Sequence, residues 1–208
     1  MFQDRTDAGQ QLADVLRERD LDADLVLGIP RGALPVARPV ADALGVTLDI
    51  VVAKKMSAPE NPEFAIGAAA SDGSVYLDDE TIERLGVDSE YIERERERSA
   101  ETAREKVETY RQGEPPEVAG KSVVVVDDGV ATGATMTACV RHLQAQDADR
   151  IIVAVPVGSP RSLAELEADA DEVIALDEPE GFRAVGQFYR RFGQVSDEKA
   201  IAYLRGEQ

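Results

Sequence analysis

Cysteine and histidine are almost missing from this chain, with Cys139 and His142 the only examples among 208 residues. A single thiol rules out an internal disulfide and a cysteine-rich metal site. His142 has no marked partner in the sequence and is assigned no catalytic role. Cys139 shares helical spacing with Met136, Val140 and Leu143 and reads as core. Lysine is scarce as well, confined to Lys54, Lys55, Lys106, Lys121 and Lys199. Against these stand 41 acidic residues, giving a formal net charge of −18 and a pI near 4.4. That balance argues against nucleic acid as the main partner and resembles proteins of salt-loaded cytoplasms, with an ordinary acidic protein as the plain alternative. Near 1 M salt the Debye length is about 3 Å, so local contacts decide and salt is expected to help an anionic ligand bind. No apolar run approaches the roughly 18 residues that span a bilayer, and the N-terminus lacks a basic-then-apolar signal segment. The expectation is a cytoplasmic protein of one domain, residues 1–208, with no membrane partner.

What is present is concentrated in Ser122 to Met136, SVVVVDDGVATGATM. Four consecutive valines, Val123 to Val126, have no polar face, which suits a strand covered on both sides in a parallel sheet. Asp127 and Asp128 mark its carboxyl end, where open α/β sheets bind ligands. Gly129, Ala131, Gly133 and Ala134 are small enough for backbone N–H groups to approach an anion, and Thr132 and Thr135 add hydroxyls. A helix beginning near Thr135 supplies its positive end. Two carboxylates beside a phosphate cradle fit a ligand that joins a phosphate to hydrogen-bond donors. A 5-phosphoribosyl group does so, with its phosphate in the Ala131–Thr135 loop and its 2- and 3-hydroxyls donating to Asp127 and Asp128.

This segment resembles the phosphoribosyl-pyrophosphate (PRPP) motif of type I phosphoribosyltransferases: hydrophobic residues (Val123 to Val126), two acids (Asp127, Asp128), then a Thr-Gly-x-Thr turn (Thr132 to Thr135). A response-regulator receiver also carries an acidic pair at a strand end, but near its first strand, whereas this pair lies mid-chain. The resemblance implies an α/β fold with a central, mostly parallel sheet flanked by helices, and a transferase using PRPP as donor. It further implies Mg²⁺ held mainly through PRPP, no direct protein ligand being assigned, and a homodimer. It covers Asp24 to Leu176. Purine transferases acting on hypoxanthine and guanine carry an aspartate where this chain has Ala131, so that activity is not implied.

Elsewhere, Leu12, Val15, Leu16 and Arg19 predict a helix over Asp4 to Arg19, and Asp24 to Ile29 a buried strand. Pro35 opens a helix through Leu44, with Pro39 awkward inside it. The Gly28-Ile29-Pro30-Arg31-Gly32 turn resembles the family's pyrophosphate loop, making Arg31 and Gly32 pyrophosphate candidates and Arg31, with Asp127 and Asp128, a catalytic one. A strand Thr47 to Ala53 is predicted to deliver Lys54 and Lys55 at its carboxyl end, before a loop over Met56 to Phe64 that the resemblance makes mobile. Either lysine suits the leaving group's charge.

Short strands are expected over Phe64 to Ala70 and Ser74 to Leu77. A charged excursion, 78–113, then carries the stripe Ile92, Ser99, Ala103, Val107 and Tyr110, with favourable pairs Glu93–Arg96 and Glu95–Arg98. It reads as a long exposed helix, either solvated or acting as a lid or dimer arm. Further strands follow at Arg150 to Val157 and Glu172 to Leu176, with a helix starting at Ser159 and Pro160. The tail, 177–208, gathers Phe182, Phe188, Tyr189 and Phe192 beside Arg183, Arg190 and Arg191. It either docks on the core or forms a hood over an acceptor base. A PRPP sensor that binds without turnover is the alternative function. An RNA-binding regulator conflicts with the acidity.

Overall fold

The computed structural model describes residues 1–59, 61, 64–111 and 113–207. A five-stranded, wholly parallel sheet forms its centre, in the order β2-β1-β6-β7-β8. Its strands are β1 (Leu25–Gly28), β2 (Thr47–Ile50), β6 (Ser122–Val126), β7 (Arg150–Val157) and β8 (Glu172–Asp177). Alternate side chains leave opposite faces of a strand, so both faces of β6 must be apolar. Val124 and Val126 meet α1 (Arg5–Glu18) and α2 (Leu34–Leu44) on one side. Val123 and Val125 meet α5 (Ala134–Ala145) and α6 (Pro160–Leu166) on the other. α2 runs unbroken through Pro39, its Val36, Ala37, Val40 and Ala41 buried chiefly against α1. Burial of that face outweighs the one donor that proline removes.

A second, antiparallel sheet of β3 (Ala53–Ser57), β4 (Ala65–Ala70) and β5 (Val75–Leu77) stands beside the first. This corrects the expected strand Thr47 to Ala53, which stops at Ile50. β1, which β2 pairs with, ends at Gly28, whose carbonyl oxygen takes the Val51 amide at 3.2 Å, so the ladder has no further partner; Arg111 holds the outward-facing Ile50 carbonyl oxygen at 2.7 Å and the Asp49 carboxylate at 2.9 Å. Val51 and Val52 then carry the chain across to β3. Lys54 and Lys55 therefore lie within β3 rather than ahead of a loop, and Met56 and Ser57 belong to that strand as well. Of the expected loop to Phe64, Glu60, Pro62 and Glu63 lie outside the described residues.

The charged excursion forms two helices, α3 (Asp79–Leu85) and α4 (Ser89–Tyr110), parted at Gly86 and recapped by Asp88. The expected stripe lands inward, with Ser99, Ala103 and Tyr110 buried. Both expected ion pairs form, Arg96–Glu93 at 3.0 Å and Arg98–Glu95 at 3.7 Å. In the tail, a 3₁₀ turn (Val185–Phe188) is followed by α7 (Asp197–Arg205), which packs on α2 and α4. Tyr189 is buried against Phe2 and Val157. No helix among the described residues is long and apolar enough to cross a membrane.

Candidate functional site

Register decides what meets at the sheet's carboxyl edge. Gly28 of β1 lies level with Val126 of β6, so the turn after β1 and the loop after β6 emerge side by side. They touch closely: a Cβ on Gly32 would lie 2.6 Å from Asp128 Oδ2, so a larger residue would have to displace that carboxylate or the turn. Arg31 follows a cis Pro30–Arg31 peptide at the head of this turn.

The loop after β6 is clamped before it reaches α5. The Val130 amide donates to the Val157 carbonyl oxygen and the Ser159 amide to the Val130 carbonyl oxygen, each at 2.9 Å. Ser162 Oγ donates to the Ala131 carbonyl oxygen at 2.7 Å. Gly133, with φ of +75°, caps the first turn of α5 in the left-handed region that glycine adopts freely. The result is a cavity of about 170 Å³ lined by Asp127 and the run Gly129 to Met136, with Ala131, Thr132, Gly133, Ala134 and Thr135 at its wall. The N-terminal end of the 12-residue α5 abuts this cavity. Its orphan N–H groups and positive dipole end favour an anion there.

The acidic pair is half-buried, with Asp127 lining the cavity. The Asp128 amide donates to Asp127 Oδ1 at 2.8 Å. Burial, and then the charge of Asp128, hold the Asp127 carboxyl well above the usual carboxylate range. Asp128 is also raised by burial, but Arg5 opposes it, with Nε donating to Oδ2 at 2.7 Å. Cys139, behind the pair, is core as expected, and burial pushes its thiol up to about 12.

The cations come from separate elements. Lys54 pairs with Ala69 across the ribbon and Lys55 with Ala68. These partners belong to different apolar clusters, under α4 and α5 respectively, so the two lysines leave opposite faces of β3. On the α4 side is Lys106, half-buried, its ammonium pushed down first by burial and then by Lys54, with Arg31 and Asp127 close enough to act on it. Arg31 Nη1 donates to Asp197 Oδ1 of α7 at 2.8 Å, and Tyr110 Oη donates to the same oxygen at 2.6 Å.

The structure thus brings Asp127, Asp128, Gly32 and the Ala131–Thr135 loop to one edge, with Arg31 at the head of the turn. It places Lys54 toward Lys106 and Lys55 toward the other face. Sequence reasoning missed Arg5, Lys106, Tyr110 and Asp197. Lys106 had a readable signal, being a lone lysine between Ala103 and Tyr110 on the buried stripe of an arginine- and glutamate-rich helix. A larger cavity of about 310 Å³ lies under the end of α4 and carries none of the expected site residues. Two of its polar groups are paired, Arg111 with Asp49 and His142 Nδ1 with Ser74 Oγ at 3.0 Å. Among the described residues, no group of three or more His, Cys, Asp or Glu side chains could hold a metal ion.

Comparison with known proteins agrees with the fold. The family model described as the phosphoribosyl transferase domain matches residues 3–190. Two Mycobacterium tuberculosis proteins, from strains CDC 1551 and H37Rv, carry phosphoribosyl transferase in their names and are 39% identical over 205 residues. The alignment covers 98% of this chain but 46% of theirs, so the chain spans about half the length of the curated relatives it matches. The crystal structure of TT1426 from Thermus thermophilus superposes with a TM-score of 0.86 at 44% identity, covering 98% of this chain and 97% of that one.

Proposed function

The chain belongs to the phosphoribosyl transferase domain family, and on that premise we propose that it transfers a 5-phosphoribosyl group from PRPP to a nitrogen acceptor of the nucleobase class. The observation that carries this reading is the meeting of Asp127 and Asp128 with the Gly133-capped cradle on one side and the Arg31–Gly32 turn on the other. The 5-phosphate occupies the cradle of Ala131, Thr132, Gly133, Ala134 and Thr135. Asp128, and Asp127 when ionised, accept from the ribose hydroxyls. Arg31 and Lys54 of the expected set, joined by Lys106, meet the pyrophosphate, while Lys55 is a weaker candidate on its face of β3.

The acceptor nitrogen's lone pair forms the new bond to C1 as the C1–O bond breaks and pyrophosphate departs with the electron pair. Holding both reactants in line and neutralising the leaving group is most of the catalytic work. With only two adjacent carboxylates at the site, the residues fit an ion held through substrate oxygens and water rather than in a protein cage. When bound, Mg²⁺ would neutralise charge shared between pyrophosphate and ribose oxygens.

The test is pyrophosphate release from PRPP with Mg²⁺ in about 1 M KCl, across a panel of bases, beside direct calorimetric binding of PRPP. Acceptor-dependent release establishes the transferase. Tight binding without release under every acceptor selects the sensor, and no binding defeats the site assignment.

A further inference from the structure

Arg5 stands at the first turn of α1, outside every segment that the motif covers, yet it reaches the acidic pair. Its Nε donates to Asp128 Oδ2 at 2.7 Å and its Nη1 to the Gly193 carbonyl oxygen at 2.7 Å. Its guanidinium carbon lies 3.8 Å from the centroid of the Phe192 ring. The side chain is 12% exposed and that of Asp128 15%. Tyr189 Oη donates to the Asp128 backbone carbonyl oxygen at 2.5 Å, and its ring leans on both Phe2 and Phe192. The tail segment 189–193 therefore grips Asp128 twice, directly through Tyr189 and indirectly through Arg5.

We propose that Arg5, fixed by Phe192 and Gly193, is a positioning residue that keeps Asp128 ionised and turned to receive a ribose hydroxyl. This rests on reading Asp128 as the ribose acceptor. The physical need is specific. Two half-buried neighbouring carboxylates repel, which favours a proton on one of them. A protonated carboxyl at Asp128 would be a weaker, neutral acceptor for a donating hydroxyl. The groups facing the pair are Arg5 from α1, Tyr189 from the tail, and Lys106 from α4, the last toward Asp127. The turn after β1 brings Gly32 close to Asp128. Arg5 is the cation in direct contact with Asp128, so it sends any shared proton to Asp127. With Oδ2 engaged, Oδ1 is left for the hydroxyl. A lysine could supply the charge but not the fork to Asp128 and Gly193 or the flat stack on Phe192.

The test uses ¹³C-carboxyl NMR of aspartate-labelled protein, read without ligand, and calorimetric PRPP binding from about pH 4.5 to 8 in molar KCl. R5Q should raise the Asp128 midpoint by about one unit or more and carry the acid limb of PRPP affinity upward with it. R5K should keep the midpoint and lose about three- to tenfold in affinity at pH 8, where charge is restored and orientation is not. A merely structural role would lower the melting temperature and leave the limb in place.

An unshifted R5Q midpoint beside normal wild-type binding overturns the role of Arg5 alone. R5K with wild-type affinity overturns its positioning part, and carries the test should R5Q fail to fold. A wild-type protein that binds no PRPP at any pH overturns instead the reading of the site on which this rests.

Discussion

The two halves of the candidate site are built on different plans. The phosphate half is one continuous run from Asp127 to Met136, clamped by backbone hydrogen bonds to the end of β7 and shaped by small residues. The leaving-group half is assembled from remote elements: Arg31 after β1, Lys54 on β3, Lys106 on α4, with Asp197 of α7 already on Arg31. A run held by its own backbone works through turn geometry and residue size, and is set once the sheet forms. A cluster of long side chains from several elements depends on tertiary packing, and its ion pairs can exchange partners. The first half is a fixed receptor, while the second can be retuned by parts of the chain far from the chemistry.

Asp128 joins the halves, touching Gly32 on one side and Arg5 beneath. The largest effect is expected there. Asp128→Asn should weaken PRPP binding about 100-fold, or about 3 kcal/mol, by replacing a charged acceptor with a neutral one. Circular dichroism should show an unchanged fold, and unaltered affinity in calorimetry would sink the ribose assignment. Gly32→Ala comes next. Its Cβ at 2.6 Å from Asp128 Oδ2 forces either the turn or the Asp128 carboxylate to shift. Overpacking of this kind costs about 1–3 kcal/mol, so a loss of about 10- to 100-fold in PRPP affinity is expected. A Gly32→Ala protein that binds normally would show that the halves need not touch.

The same division explains what the sequence revealed. The cradle, the acidic pair and the two-faced valine strand were legible because each is local, fixed by spacing within a short run. The lysines were misplaced because an apolar run such as Ile50 to Ala53 looks the same whether it prolongs one strand or crosses to another sheet. The decision lies with β1, whose ladder to β2 ends at Gly28 and Ile50 and leaves the run without a partner there. Arg5 and Asp197 had no signal at all, since an arginine after a helix cap and an aspartate in a first turn are ordinary residues until the tail folds back. The tail's aromatics did declare themselves as a cluster. Tyr189 docks as the packing alternative expected, while Phe192 turns its face to Arg5.

Lys106 tests whether the assembled half extends to α4. Lys106→Met should cost about tenfold in PRPP affinity, through the loss of one charge-assisted contact. The melting temperature should hold or rise, because the ammonium removed is desolvated and faces Lys54. An affinity unchanged by this substitution would confine the leaving-group cations to Arg31 and β3.

Asp127 offers a smaller effect with the opposite sign from ordinary stabilising carboxylates. Its folded-state pKa is raised, so the native state binds more protons than the unfolded chain, whose aspartate titrates near about 3.9. Stability then falls as pH rises above about 4 toward the folded value. Asp127→Asn should therefore raise the melting temperature at pH 7, by about 2–4 °C for each kcal/mol relieved, and the advantage should vanish below about pH 4. A scanning calorimetry series that shows no gain at neutral pH would mean the pair is not strained.

The smallest expected change is the most diagnostic of the contrast. Arg31 and Asp197 are 39% and 51% exposed, and pairs of that kind are weak and screened by salt. A pyrophosphate arriving at Arg31 competes with Asp197 for its charge, and Asp197 Oδ1 also takes the Tyr110 hydroxyl. Asp197→Asn keeps an acceptor for Tyr110 and removes the competing charge. PRPP affinity should rise about two- to fivefold in dilute buffer, and the gain should fade near 1 M salt as the Debye length shrinks to about 3 Å. A fall in affinity would mean that Asp197 holds Arg31 in its binding pose instead of competing for it. No substitution in the backbone-built cradle is expected to improve binding, because nothing there occupies the ligand's place. An increase confined to Asp197 would mark the assembled half as the one the tail can adjust.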